Sequence, residues 1–278
     1  MTLRGVPRPA SARDYWDDVA HLRGRDGSTI LARRYSDAVN AALLDRWWPA
    51  SEVGSALKTD LFDEACSDGL LPLLLGRAPR VFGIDISGRT AAAARAGNPR
   101  AHVVESEVRQ LPFAGGSFGL VVSNSTLDHF DSPVEIDRSL AELHRVLRSG
   151  GTLILTLDNP AHPILALRRA FPALWRRLGL VPYEVGASLG PRALRAALGR
   201  AGFRVEEVAA VMHFPRVAVA LLEDSARGDR RDASKGVGVA GPPVGDPSVR
   251  RLMRWESLCR WPTRWLTGHF VAARATRP

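Results

Sequence analysis

One stretch limits the choice of fold more than any other. Residues 57–87 read Leu-Lys-Thr-Asp-Leu-Phe-Asp-Glu-Ala-Cys-Ser-Asp-Gly, then a short apolar run, then Val-Phe-Gly-Ile-Asp-Ile-Ser. The pattern predicts a strand, a tight turn, a helix and a second strand that ends at Asp85. That is half of a doubly wound α/β sheet, in which ligands sit beyond the carboxyl ends of the strands where strand order reverses. A carboxylate at Asp85 offers two acceptor oxygens, enough for both hydroxyls of a ribose.

The rest of the chain extends the alternation. Lys58, Asp60 and Asp63 interrupt the apolar run that a central parallel strand needs, so the buried part of the first strand is expected at 61–63. A helix is expected at 68–75, with Pro72 tolerated in its first turn, and a second strand at 80–84. An alanine-rich helix over 88–96 ends at Gly97 and Asn98, and a third strand follows at 101–104. Residues 118–123 form a continuous apolar run, the mark of a buried fourth strand. Residues 133–147 place Val134, Leu140, Leu143 and Leu147 on or near one helix face, and a fifth strand follows at 152–157. Further helices are expected at 164–178, 191–201 and 249–261, a sixth strand at 203–212, and a last, antiparallel strand at 269–274. Two helices, 12–22 and 35–48, precede the first strand. Residues 226–248 are polar or rich in Gly and Pro and read as a mobile loop.

Several of these residues together resemble the class I methyltransferases that use S-adenosylmethionine. The string from Phe62 to Gly69 matches the family's first motif, an acidic residue followed by Gly-x-Gly-x-Gly; Ala65 and Ser67 stand where its first two glycines are expected. Glu107 before Leu111-Pro112-Phe113, and the string Leu143 to Gly151, match later motifs, and Gly119 stands where the family usually has Asp. The resemblance covers roughly residues 57–158. It implies a Rossmann-like, mostly parallel seven-stranded sheet, with residues 1–50 as a helical lid and 51–278 as the catalytic domain. The stretch from about 160 to 190 would be a substrate-pocket insertion.

The resemblance also assigns a site. Asp63, Ala65, Ser67 and Gly69 would meet the cofactor, as would Asp85 and Ile86 at the ribose. Glu107 and Val108 would lie at the adenine, and Asn124 and Ser125 at the methionine part. His129 borders the methyl-transfer position. It either accepts a proton from the methyl acceptor, its ordinary pKa near 6.5 suiting that task, or packs as a loop histidine. Asp128 either orients it or faces solvent. Tyr15, Tyr35, Asp158, Asn159, His162 and Tyr183 are candidates to line a substrate pocket; for the two lid tyrosines the competing role is to anchor the lid on the sheet. The implied activity is methyl transfer from S-adenosylmethionine to an O, N or C nucleophile of a small molecule. The departures at Ala65 and Ser67 motivate a rival, a relative that has lost methyl transfer.

Composition narrows the partners. The net charge of +9 invites a nucleic-acid reading, but 36 of the 38 basic residues are arginine and they are scattered rather than gathered with aromatics. A small-molecule substrate is therefore expected over nucleic acid. No apolar run approaches the roughly 18 residues of a membrane helix. Cys66 and Cys259 are too few for a disulfide framework, so a reducing, cytoplasmic setting is expected. No metal-ligand cluster is evident.

Overall fold

A computed structural model describes residues 11–23, 30–171, 186–215, 218–219 and 246–278. Two helices, α1 (Ala12–Arg23) and α2 (Ile30–Trp47), lead into the sheet. There follow β1 (Ser55–Lys58), α3 (Phe62–Cys66), α4 (Leu71–Leu75), β2 (Arg80–Asp85), α5 (Gly88–Gly97), β3 (His102–Glu105) and β4 (Phe118–Asn124). A 3-10 turn at Leu127–His129 leads to α6 (Pro133–Val146), β5 (Leu147–Asp158) and α7 (Pro163–Ala170). The chain closes with α8 (Pro191–Arg200), β6 (Arg204–Val211), α9 (Pro247–Met253) and β7 (Phe270–Thr276).

The seven strands form one sheet in the order β3-β2-β1-β4-β5-β7-β6. All pairs are parallel except those made by β7, which runs antiparallel to both β5 and β6. Strand order reverses between β1 and β4, so the carboxyl ends of β1, β2 and β4 share one rim at the switch point. Alternate residues of each strand face opposite layers. Ala56, Leu120 and Val122 pack against α2, α4 and α5, whereas Leu57 and Val121 pack against α6 and α8. The helix α6 starts where Ser132 and Glu135 cap it, Glu135 Oε2 accepting from Ser132 N at 3.2 Å. Its Ile136, Leu140 and Leu143 are fully buried on the sheet.

The first strand differs from the sequence expectation. It ends at Lys58, and residues 62–66 are helical rather than extended. Lys58 lies level with Gly83 of β2 and Val122 of β4. A strand continued to Asp63 would carry the Asp60 and Asp63 carboxylates between two neighbouring strands. Instead Asp60 turns the chain, its Oδ1 accepting from Phe62 N at 3.0 Å at the start of α3. The helix expected at 68–75 is shorter, beginning at Leu71. α7 ends at Ala170, and the rest of the helix expected through residue 178 lies outside the described residues. Of the loop expected at 226–248, only 246–248 are described, and these start α9 with Asp246 as its cap. Among the described residues no helix is long and apolar enough to cross a membrane.

Candidate active site

The rim at the switch point is unusually rich in buried ionic groups. Lys58 is 2% exposed, and its ammonium meets the Glu64 carboxylate at 2.9 Å and the Asp60 carbonyl. Burial alone would lower the Lys58 pKa; Glu64, Asp60 and Asp63 outweigh it and hold the ammonium above its ordinary range. Glu64 Oε1 accepts from Leu70 N at 2.8 Å, so the pair also fixes the turn after α3. Gly69 in that turn has φ +58°, and a Cβ there would lie 2.5 Å from the Glu64 side chain. Glycine is required on both counts.

Asp85 stands at the end of β2, as expected. Its Oδ2 accepts from Leu61 N at 3.0 Å and its Oδ1 from Ser87 N at 2.8 Å. Each oxygen keeps a second lone pair. Burial and the neighbouring Asp60 push its pKa up to about 7. Asp60 itself is pushed up to about 6 by burial, against the pull of Lys58. Asp37 reaches in from α2. Its carboxylate lies 3.0 Å from the Ser67 hydroxyl, and burial and Asp63 raise its pKa to about 8.

At the end of β4, Thr59 Oγ1 and Ser123 Oγ lie 2.9 Å apart, which ties the first and fourth strand ends together. Asn124 Nδ2 donates to Asn40 Oδ1 of α2 at 3.1 Å, while Asn124 Oδ1 is buried without a hydrogen-bond partner among the described residues. Ser125 adopts φ +48°, its N–H held by Thr156 at the end of β5. Asp128 Oδ2 accepts from Ser125 Oγ at 2.9 Å and from Asp158 N at 2.7 Å. Asp128 Oδ1 makes no hydrogen bond among the described residues and faces His129 Nε2 at 4.0 Å. Burial raises the Asp128 pKa. Trp16 of α1 covers His129, with ring centroids 4.6 Å apart. The same helix is fastened on the Asp85 side, where Asp17 Oδ1 accepts from Ser87 Oγ at 2.5 Å and Arg13 pairs with Glu105 at 2.6 Å.

The other expected site residues fall into two groups. Ile86 lies half-buried beside Asp85, and Val108 is buried. Glu107 is ion-paired with Arg109, which also binds Glu135 and lies over the Phe130 ring. Asp63 and Ala65 sit within α3, with Ser67 and Gly69 in the turn beyond it, rather than in the turn that ends β1. Tyr15 is buried under Trp16. Tyr35 is fully buried, its hydroxyl donating to Glu256 at 2.6 Å and accepting from Phe214 N at 3.2 Å, which makes it an anchor for α2. Asp158 is flanked by Arg168 at 3.2 Å and His269 at 3.6 Å. Asn159 is spent on the fold: its Nδ2 donates to the carbonyls of Trp265 and Gly268, and its Oδ1 accepts from Ala161 N. His162 is buried against His269 with ring centroids 5.4 Å apart. Tyr183 lies outside the described residues. Lys58, Asp60, Asp37 and Asn40 were absent from the expected set. The one available signal was Lys58 itself, a rare lysine in an arginine-rich chain, set inside an apolar run.

The profile of the methyltransferase domain family matches residues 62–155. A demethylmenaquinone methyltransferase of Thermus thermophilus is 30% identical over 203 residues, spanning 63% of this chain and 90% of that protein. This chain belongs to the methyltransferase domain family. A probable S-adenosylmethionine-dependent methyltransferase of Mycolicibacterium smegmatis is 28% identical over 155 residues, 55% of each chain. The chain spans 55–66% of the length of the first curated relatives it matches. In fold it resembles an S-adenosylmethionine-dependent methyltransferase of Thermotoga maritima, with TM-score 0.58 and 17% identity over 96% of this chain and 99% of that one.

S-adenosylmethionine is the methyl donor of this family, and the rim suits it. The spare lone pairs of Asp85 and the unpartnered Asn124 Oδ1 and Asp128 Oδ1 flank the switch point, and each calls for a donor such as a hydroxyl or an ammonium. The turn after β1 is built differently from a glycine loop, with Thr59, Asp60 and Leu61 following the strand directly. A cleft of about 500 Å³ lined by Arg80, Arg148, Ser55 and Ser117 lies at the opposite, amino ends of the strands and contains none of these groups.

Proposed function

We propose that this chain transfers a methyl group from S-adenosylmethionine to an O, N or C nucleophile of a small molecule. The observation that carries the reading is the shared rim of Asp85, Asn124 and the Asp128–His129 pair at the carboxyl ends of β2 and β4, with Trp16 over the His129 ring. S-adenosylmethionine supplies a sulfonium-bound methyl that is already an electrophile. The chain's own task is then to align the acceptor, exclude water and remove a proton where the nucleophile carries one. Asp85 would take the ribose hydroxyls, with Ile86 beside it. Glu107 and Val108 would border the adenine, and Asn124 and Ser125 the methionine part. His129 would accept the acceptor's proton, held in orientation by Asp128. The N-terminal lid would close the site, and Asp158, His162 and the insertion around 160–190 would shape the acceptor's side. A small acceptor in a reducing, cytoplasmic setting goes with this reading; Cys66 and Cys259 are both free thiols.

A second reading is favoured by one observation, the Lys58–Glu64 pair and glycine-free turn after β1. Under it the chain has kept the fold and lost methyl transfer. Calorimetric titration with S-adenosylmethionine and S-adenosylhomocysteine separates the two. Micromolar binding of both, followed by labelled-methyl transfer to one of a panel of phenols, quinols and amines, supports the first reading. Absence of binding by either ligand overturns it.

A further inference from the structure

We propose that the turn after β1 recognises the positive charge of S-adenosylmethionine, with Asp60 as the specificity-determining residue that favours the charged donor over its neutral product, S-adenosylhomocysteine. The inference rests on the cofactor reading of the rim. Five carboxyl groups meet there, Asp37 from α2, Asp60 from the turn, Asp63 and Glu64 from α3 and Asp85 from β2: Asp85 accepts from Leu61 N, next to Asp60, Lys58 joins Glu64 to the Asp60 carbonyl, and the Ser67 hydroxyl lies 3.0 Å from Asp37 and 2.9 Å from the Asp63 carbonyl. The cations near them are Lys58 from β1, Arg33 from α2, whose guanidinium lies over the Phe62 ring at the start of α3, and, when protonated, His129 from the turn after β4; Arg168 of α7 acts on Asp128 beyond. Lys58 is already committed to Glu64. The described residues therefore carry an excess of acid where the strand order reverses.

A second observation points to a ligand at the same place. Asn124 and Asp128, at the neighbouring end of β4, are 8% and 4% exposed, and each has an oxygen with no hydrogen bond among the described residues. They add acceptors, and no donors, to a rim already short of positive charge. The donor and the product differ in one formal charge at sulfur: the sulfonium of S-adenosylmethionine becomes the thioether of S-adenosylhomocysteine. The other groups of the two molecules are alike. A rim with more carboxyl groups than cations distinguishes them through that charge, so the product is released in preference to the donor.

The elevated pKa values follow from the same geometry. Asp60 near 6, Asp85 near 7 and Asp37 near 8 are raised by burial first, and Asp63 repels both Asp60 and Asp37. At low pH these groups are neutral and the rim attracts a cation weakly. As pH rises they ionise, and a bound sulfonium promotes that ionisation by releasing protons.

The test is calorimetric titration of the full chain with each ligand between about pH 6 and about pH 8, in buffers of different ionisation enthalpy. The expected result is an affinity ratio, donor over product, that grows with pH, with proton release on donor binding and little on product binding. Asp60→Asn keeps the acceptor for Phe62 N and removes the charge. It should weaken donor binding about ten-fold while leaving product binding within about two-fold, which also shows that the variant is folded. Asp63→Asn serves as the second variant, with a smaller effect in the same direction. A ratio that is flat with pH and unchanged in both variants overturns the charge recognition while leaving the cofactor reading intact. Failure of both ligands to bind the unaltered chain overturns the cofactor reading and this inference with it.

Discussion

Replacing Lys58 by methionine should unsettle the whole molecule, not only the site. Lys58 is 2% exposed in the centre of the sheet, and the Glu64 side chain it meets is fully buried. Methionine fits the space of the aliphatic stem but removes the ammonium. Glu64 then remains buried as an uncompensated charge, a situation that costs about 3–5 kcal/mol. A chain of this order of size loses about 2–4 °C of Tm per kcal/mol, so a fall of about 6–20 °C is expected. Adding Glu64→Gln should recover most of the loss. Glutamine has no charge to compensate and keeps an oxygen for Leu70 N, which Glu64 now holds at 2.8 Å. The assay is urea unfolding of the parent, the two single variants and the double variant, followed by circular dichroism and read as a double-mutant cycle. A loss below about 1 kcal/mol for Lys58→Met, or a double variant no more stable than that single one, would refute the argument that the pair is a compensated buried charge.

Three further outcomes are expected. Asp85→Ala should weaken S-adenosylmethionine binding by about 1.5–3 kcal/mol, the value of hydrogen bonds to a charged acceptor; calorimetry that shows unchanged affinity would remove Asp85 from the ribose. His129→Gln should lower kcat about 10²–10⁴-fold with cofactor affinity nearly unchanged; retention of kcat would assign His129 a packing role. The ligand-free protein should lose stability as pH rises from about 6.5 to about 8. Asp85 and Asp37 bind protons more tightly folded than unfolded, so the folded state holds more protons in that window and stability falls with pH. The buried His162 and His213 and the half-buried His144 act in the opposite direction only as pH falls through about 6.5, because desolvation lowers their pKa values. Thermal melts across pH check the sign, and a rise in Tm from about pH 6.5 to about pH 8 contradicts it.

What was legible in the sequence and what was not divides along a physical line. The unbroken apolar run of β4 and, on α6, Leu140 and Leu143 report burial through their own residues and so are read locally, whereas Val134, expected on the same face, lies in the first turn and is 59% exposed. The switch-point rim follows from the same alternation, since a parallel sheet sends every strand end to one side. β1 was misplaced because its burial is not reported locally. Lys58 is compatible with a central strand only through Glu64, six residues later and on a helix, and no periodicity expresses that compensation. The letters of the string 62–69 match a glycine turn, yet the turn itself forms earlier, at Asp60, whose carboxylate caps Phe62 N. Asn159 and Tyr35 show the same limit in the site. Each is a polar residue near a strand end or a lid, as a pocket residue would be. Each is consumed by a partner far along the chain, Asn159 by the carbonyls of Trp265 and Gly268 and Tyr35 by Glu256. Topology therefore decides which residues reach the rim, whereas distant partners decide which of them keep a lone pair for a ligand. By that criterion Asp85, Asn124 and Asp128 qualify, whereas Asn159 is fully buried, with both amide hydrogens given to backbone carbonyls and its oxygen turned to Ala161 N.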